Sequence, residues 1–460
     1  MATMDFVVKV QSSSGGTVTL NSSPFEIRRP ALRAGDRRET EVENRLEIRL
    51  TDGSVSANLD ELRTLNDLLR DAHDRNQKHD KRIDPVYLVW KESASASEWR
   101  SEITDARADW LEETLTFGYW TGDTQFADIE IDRVNHWEGP EAQLGLTNPN
   151  GTANTSGLTV VTVNDGSGSG GSARYNYVDI AGTAVLGDLP AATRLEITNN
   201  YAGTALPNLA QIFIGQNYTN PTTFDHWLEA EEATHSGTAS AGTAYSGGTI
   251  VTVPITSGGS GSNLLTWSIA SAQLDAAEGG YFKAIIGFME DARLNVRYKL
   301  RISYNAATLW ETDWISLEGV TGFADIVVFQ LPPWLPGLSS LEELDLVLVG
   351  YQTTGTQIDQ EIDFFQLTPV DGWRAMKAIA YSTPKDSRIV DDGINGYLYQ
   401  DDGSGGSKIG IYVGYGRPIF LKPATNQRLY FLLMRNSITG EQVDRSASIK
   451  LYYRPRRLSL

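Results

Sequence analysis

The chain contains no cysteine, which removes disulfides, thiolate nucleophiles and cysteine-ligated zinc in one step. Its folded state must rest on buried area or on assembly, because the covalent staple of small secreted domains is missing. Basic residues are scarce beside acidic ones: 39 Lys and Arg stand against 58 Asp and Glu, a formal charge of −19. A phosphate backbone is bound by clustered Lys and Arg, so nucleic acid is excluded as a partner class, and the acidic surface serves solubility by self-repulsion. Long apolar runs are also missing. Residues 285–289 and 344–350 are strand-length, far below what a bilayer requires, and no membrane partner is expected. The opening Met1-Ala-Thr-Met-Asp-Phe-Val-Val-Lys-Val10 has no basic region leading into an apolar one, so no signal peptide is expected and cytoplasmic synthesis is the default. Such a protein can still leave a cell inside a particle released by lysis. The five histidines, at 73, 79, 136, 226 and 235, fit no His-Glu-x-x-His pattern, and there is no Gly-x-Ser-x-Gly elbow.

What the chain does have is length and apolar content. Its 460 residues, 40% of them hydrophobic, suffice for about three ordinary domains with real cores. Residues 1–150 hold the one clear helix. Asn58 and Glu61 have capping-box spacing, and Leu59, Leu62, Leu65, Leu68, Leu69 and Ala72 fall on one helical face, with Arg63, Arg70, Asp67, Asp71 and Asp74 around the remainder. Strands are predicted on both sides, at 6–10, 17–20, 45–50, 86–90, 98–103, 113–117 and 126–131. This implies a small α+β domain of mostly antiparallel strands that acts in assembly. The turn-rich Asn148-Pro-Asn-Gly-Thr152 marks its end.

Beyond that turn Gly, Ser and Thr rise, helical periodicity disappears, and the fold class is mainly β. Thr159-Val-Val-Thr-Val163 runs into a Gly/Ser loop at 164–171, Thr249-Ile-Val-Thr-Val253 into another at 257–262, and a third lies at 401–407. None ends in Gly-Lys-Ser/Thr or opens a helix, so they read as hairpin tips rather than phosphate cradles. Residues 151–225 and 371–460 carry short strands without completing a domain separately. The preferred reading pairs them into one β-sandwich with residues 226–370 inserted between them; two small domains are the alternative.

The inserted stretch opens with His226-Trp-Leu-Glu-Ala-Glu231. It continues through Leu264-Leu-Thr-Trp-Ser-Ile269, Gly279-Gly-Tyr-Phe-Lys-Ala-Ile-Ile286 and Val296-Arg-Tyr-Lys-Leu-Arg-Ile302, and closes on Leu344-Asp-Leu-Val-Leu-Val349 and Glu361-Ile-Asp-Phe-Phe-Gln-Leu367. Leu265, Trp267 and Ile269 share a face at period two, as do Leu344, Leu346 and Leu348, which suits the inner faces of a sandwich. In order and spacing the stretch resembles the jelly-roll carbohydrate-binding modules, over about a third of the chain. The resemblance implies that Glu229, Glu231 and Asp363 meet across neighbouring strands and hold a structural calcium, a hard cation that takes six to eight oxygens. Ordinary solvated edge carboxylates are the alternative. Glycans are gripped by exposed aromatic platforms, and Trp310, Trp314 and Trp334 are the aromatics near loops. Trp334, within Pro332-Pro-Trp-Leu-Pro336, is kept off a regular strand by its prolines, whereas Trp267 reads as core. The Arg-aromatic pair of the family is missing, with Gly287 and Phe288 near its place, so the fold is implied more firmly than the ligand.

Elsewhere, Glu98-Trp-Arg-Ser-Glu-Ile103, His136-Trp-Glu-Gly-Pro-Glu141, Leu144-Gly-Leu-Thr-Asn-Pro-Asn-Gly151 and the final Leu451-Tyr-Tyr-Arg-Pro-Arg-Arg457 look like segments of phage and prophage tail proteins, a likeness without a defined motif. It implies a virion structural protein that forms homo-oligomers or joins other virion subunits, with a filament subunit or glycan-binding surface adhesin as the other readings. Arg454, Arg456 and Arg457 are then candidates for docking an acidic neighbour. No enzyme is expected. The acid pairs Asp391-Asp392 and Asp401-Asp402 invite a glycosidase, but that chemistry needs two carboxyls facing across a cleft, and glycine lies close behind both pairs, as turns require.

Overall fold

The computed structural model describes residues 7–22, 24–35, 40–50, 58–80, 82–93, 95–108, 127–148, 161–163, 177–200, 209–218, 227–241, 248–270, 280–288, 292–304, 306–318, 320, 323–331, 343–378, 383–384, 386–403, 412–435 and 447–460. The predicted strand at 113–117, Trp334 and the Gly/Ser loop at 164–171 lie outside them. The fold is mainly β and antiparallel, and the chain divides into two compact units: residues 1–142, 186–191 and 454–460 form one, and residues 143–185 with 192–453 form the other.

In the first unit the strand Val7–Ser12 pairs with Thr17–Thr19 and with Val86–Lys91. The sheet then continues through Trp99–Arg107, Ala127–Val134, Glu41–Leu50 and Phe25–Ala31. Helix α1, Leu59–Gln77, buries Leu62, Leu65, Leu68, Leu69 and Ala72 as its periodicity requires. They share one core with Val8, Val10, Leu88, Ile103 and Trp137. Each such leucine contributes roughly 1.5–3 kcal/mol of burial. Asn58 does precede the helix, yet its side chain makes no capping bond, so the expected capping box does not form. His73, on the expected solvated face, instead places Nδ1 2.7 Å from Asp105 Oδ1.

The second unit contains two sandwiches. Residues 227–369 form a jelly roll. One of its sheets runs Thr238–Ala241, Thr249–Thr256, Gln357–Pro369, Tyr281–Phe288, Phe323–Gln330; the other runs Thr234–His235, Ser262–Ala270, Glu343–Gln352, Val296–Tyr304, Ala307–Glu311. The two apolar rows read from the sequence pair directly, Leu265 with Leu348, Trp267 with Leu346 and Ile269 with Leu344, and all six enter the core. Trp267 is buried, and its indole N–H donates to the Glu229 carbonyl at 2.8 Å. In the other sandwich, strands from before and after the jelly roll interleave. Ala191–Asn199 lies between Ala447–Tyr453 and Arg388–Asp392, and Leu209–Asn217 lies between Gln427–Arg435 and Gly372–Ala378.

The sandwiches meet through Phe213 and Leu432 on one side and Ile285 and Phe364 on the other. The approach at Gly215 is close enough that a Cβ there would lie 2.1 Å from Thr368 Cγ2, so only glycine fits.

Candidate functional site

The segments carrying the three candidate metal carboxylates do come together. Trp227–Glu229 pairs with Gln357–Pro369, placing Glu229 opposite Phe364 and next to Asp363. Asp363 and Glu229 are both buried. The ladder slips beside Asp363, since Gly287 pairs with Phe364 but Phe288 with Ile362; Ile362 and Phe365 therefore both reach the core although they are three residues apart. Glu231, however, lies in the 3-10 turn Ala230–Glu232 and not on a continued strand. The alternation expected to set Glu229 and Glu231 on one face stops there. Among the described residues no group of three or more His, Asp or Glu is placed to hold a metal ion.

The aromatic candidates are occupied with their own fold. Trp310 stacks on Phe329 at 5.4 Å and packs against the jelly-roll core. Trp314 meets Tyr351 edge-on at 4.5 Å, with Lys299 Nζ 4.7 Å from its ring. Both are half-buried.

The C-terminal arginines also find partners inside the chain. The short strand Arg456–Arg457 pairs with Trp137–Glu138, and Arg456 Nε and Nη2 donate to Glu138 Oε1 at 3.1 and 2.8 Å. Arg454 is half-buried, and burial lowers its pKa, helped by the neighbouring Arg100 charge. Arg457 is exposed, its guanidinium 4.5 Å over the Trp99 ring. Burial pushes the Glu138 carboxyl up, but the His136 ring and the Arg456 guanidinium outweigh it and hold it at about 2. Of the three, Arg457 is the exposed one.

Both acid pairs serve turns and staples. Asp391 receives Arg374 through two bonds, Nη2 to Oδ1 at 2.6 Å and Nε to Oδ2 at 2.9 Å. Asp392 accepts from the Asn395 backbone and side-chain N–H groups, closing a hairpin whose Gly396 has φ 78°. Asp401 pairs with Arg388 and accepts from the N–H of Gly403, which has φ 81°. Gly403, which follows the second pair, has the positive φ of a turn; behind the first pair it is Gly396, not the adjacent Gly393, that takes it.

In the first unit, Glu43, Asp105, Arg107, Glu130 and Asp132 line a concavity of about 220 Å³. Burial and then the Asp105 and Glu43 charges raise the Asp132 pKa. Arg107 Nη2 lies 3.9 Å from Asp105 Oδ2, and His73 Nδ1 lies 2.7 Å from Asp105 Oδ1.

Sequence reasoning missed a group of exposed aromatics at the meeting of the two sandwiches: Tyr281, Trp373 and Tyr415. The signal was present in Gly372-Trp-Arg-Ala-Met-Lys-Ala378. Period two sets Trp373 opposite the buried Met376 face, so a tryptophan on a strand is turned outward.

No protein-family model and no curated protein matches the chain. Among solved structures, a family 35 carbohydrate-binding module from an environmental isolate is 15% identical, with 32% of this chain and 94% of that chain covered at a TM-score of 0.22. The phage P2 baseplate in its activated conformation with Ca includes a chain 8% identical, 97% of each being covered at a TM-score of 0.27. The same baseplate with Sr gives 11% identity over 79% of this chain and 97% of that chain, at 0.22. Scores this low carry no functional argument.

Proposed function

We propose that this protein is a structural component of a virion, of the phage-tail class, which associates with copies of itself or with other virion subunits and displays the jelly roll. The observation that carries the reading is the path of the chain. It passes between the two units four times, after residues 142, 185, 191 and 453, so the units are joined by four covalent connections where a flexible linker would give one. Within each unit, segments far apart in sequence are tied by charged bonds: Arg456 to Glu138 in the first, Arg388 to Glu196 and Arg428 to Asp179 in the second. A chain laced this way distributes tension instead of concentrating it, which is the demand on a particle component. Among the described residues no helix is long and apolar enough to cross a membrane.

The test is mass spectrometry and immunogold microscopy of particles purified from the source strain, with sedimentation of the pure protein. The chain should copurify with particles and label one structural position, and should form discrete oligomers as concentration rises. Its absence from every particle fraction, with a monomer at all concentrations, would overturn the proposal.

A further inference from the structure

Large apolar side chains left exposed are informative when they gather. Five lie on the two sheet faces that approach each other at Lys283: Tyr281, Val328, Trp373, Val413 and Tyr415. Their placement follows from strand register. Val328 pairs with Lys283 across the ladder, and Tyr281 lies two residues before it on the same face. Across the seam, Lys283 Nζ is 4.8 Å from the Phe213 ring centroid and 5.8 Å from that of Trp373. Tyr415 is opposite Ala375 and Val413 opposite Lys377, so both share the Trp373 face. The outer faces of two sheets therefore meet at a corner with aromatic rings on both walls.

Three features select the occupant. Trp373 stacks on Phe213 at 6.1 Å and 18°, which fixes its ring before any ligand arrives, while the side chain stays 40% exposed. A preformed platform loses little conformational freedom on binding. Lys283 is paired with Asp325 at 2.7 Å, so the corner offers an ammonium donor and a carboxylate acceptor with no net charge. An acidic or basic partner gains nothing from a neutral pair, and the dry centre of a protein–protein contact is depleted of charges. A pyranose has an apolar C–H face for the rings and hydroxyls that donate and accept in its plane. Small-ligand sites combine apolar and aromatic walls with a few placed polar groups in this manner.

We propose that the corner formed by Tyr281, Lys283, Asp325, Trp373 and Tyr415 binds a neutral carbohydrate. The site is separate from Trp310 and Trp314, and it does not depend on the assembly role.

The full chain is applied to an array of neutral and acidic glycans, and binders are titrated by calorimetry. Neutral glycans should be retained. Tyr415→Ala and Trp373→Ala should each raise Kd by about three- to tenfold, the range a ring contact is worth. Tyr397→Ala, more exposed still but on the other sheet of its sandwich, should leave Kd unchanged. Melting curves confirm folding; should Trp373→Ala unfold, Tyr415→Ala on its exposed edge strand carries the test. Retention of no neutral glycan, or a Kd indifferent to Tyr415→Ala, overturns the proposal. So does a dimer that Tyr415→Ala dissociates, which would make the corner a self-contact.

Discussion

The two sandwiches of the second unit are held together differently. The jelly roll is made from one continuous stretch, and its core runs through apolar side chains from Val251 and Trp267 to Phe365 and Leu367, with Glu229 and Asp363 buried on its paired opening and closing strands. Its ion pairs, Lys283–Asp325 and Lys299–Glu311, involve carboxylates on the surface and partners within 42 residues. The flanking sandwich is assembled from pieces separated by that whole module, and it buries charge. Arg388 joins Glu196 and Asp401, whose side chains are 4% and 1% exposed, and Arg428 crosses 249 positions to Asp179. A contiguous stretch finds its register through hairpins and the pattern of its own apolar faces. Distant strands lack that guidance, and a directional charge pair penalises every wrong register. Buried ion pairs are poor sources of net stability, so register is the better account of their presence.

The largest expected effect comes from breaking a staple. Arg388→Met leaves Glu196 and Asp401 buried without that partner and should cost about 3–5 kcal/mol in urea-denaturation free energy. A loss under about 1 kcal/mol would show that the staples are dispensable and that apolar packing governs both sandwiches. In the jelly roll the matching experiment is a cavity. Leu348→Ala, at a fully buried position facing Leu265 and Leu300, should cost roughly 3 kcal/mol. The two variants should differ in salt response as well as size, with high salt altering the first far more than the second.

The same distinction governs how much was legible in the sequence. Leu265, Trp267, Ile269, Leu344, Leu346 and Leu348 announced the jelly-roll faces because period two is a local property. The α1 leucines announced the helix for the same reason, at period 3.6. Arg388 and Glu196 announced nothing, since no local pattern links residues 192 positions apart. The surroundings of the candidate residues depend on geometry finer than pattern. Glu231 left its strand for a turn, Trp310 found Phe329, and Arg456 found Glu138. A spacing says which side chains share a face, and it is silent on which partner from another strand arrives first.

Acid offers a third contrast, since the first unit has its own long-range staple in Arg456 and Glu138. A carboxyl held at about 2 against an ordinary 4.5 contributes stability that is complete above the unfolded value and lost as pH falls through 4.5 toward 2. The shift corresponds to roughly 3 kcal/mol at neutral pH, some of it discounted for solvent access. Glu138→Gln should therefore lower stability at pH 7 by about 2 kcal/mol and flatten the loss between pH 4.5 and 2. Amide exchange at Trp137 and Arg457 reads it locally. A variant with the same acid profile as the parent would place the sensitivity elsewhere.

The smallest effect should be on the jelly-roll surface. Glu311 accepts from Lys299 at 2.8 Å and Arg301 at 3.1 Å, and these bonds lower its pKa. The geometry is good, yet the carboxylate is 37% exposed and competes with water and salt. Exposed pairs are worth about 0.2–1 kcal/mol, so Glu311→Gln should shift the unfolding midpoint slightly, and not at all in 1 M salt. The jelly roll does not need Glu311 to set register, because Ala307–Glu311 is an edge strand joined to Val296–Tyr304 by a short hairpin. A cost approaching that of Arg388→Met would mean that charge matters equally in the contiguous module, and the link between chain separation and buried charge would fail.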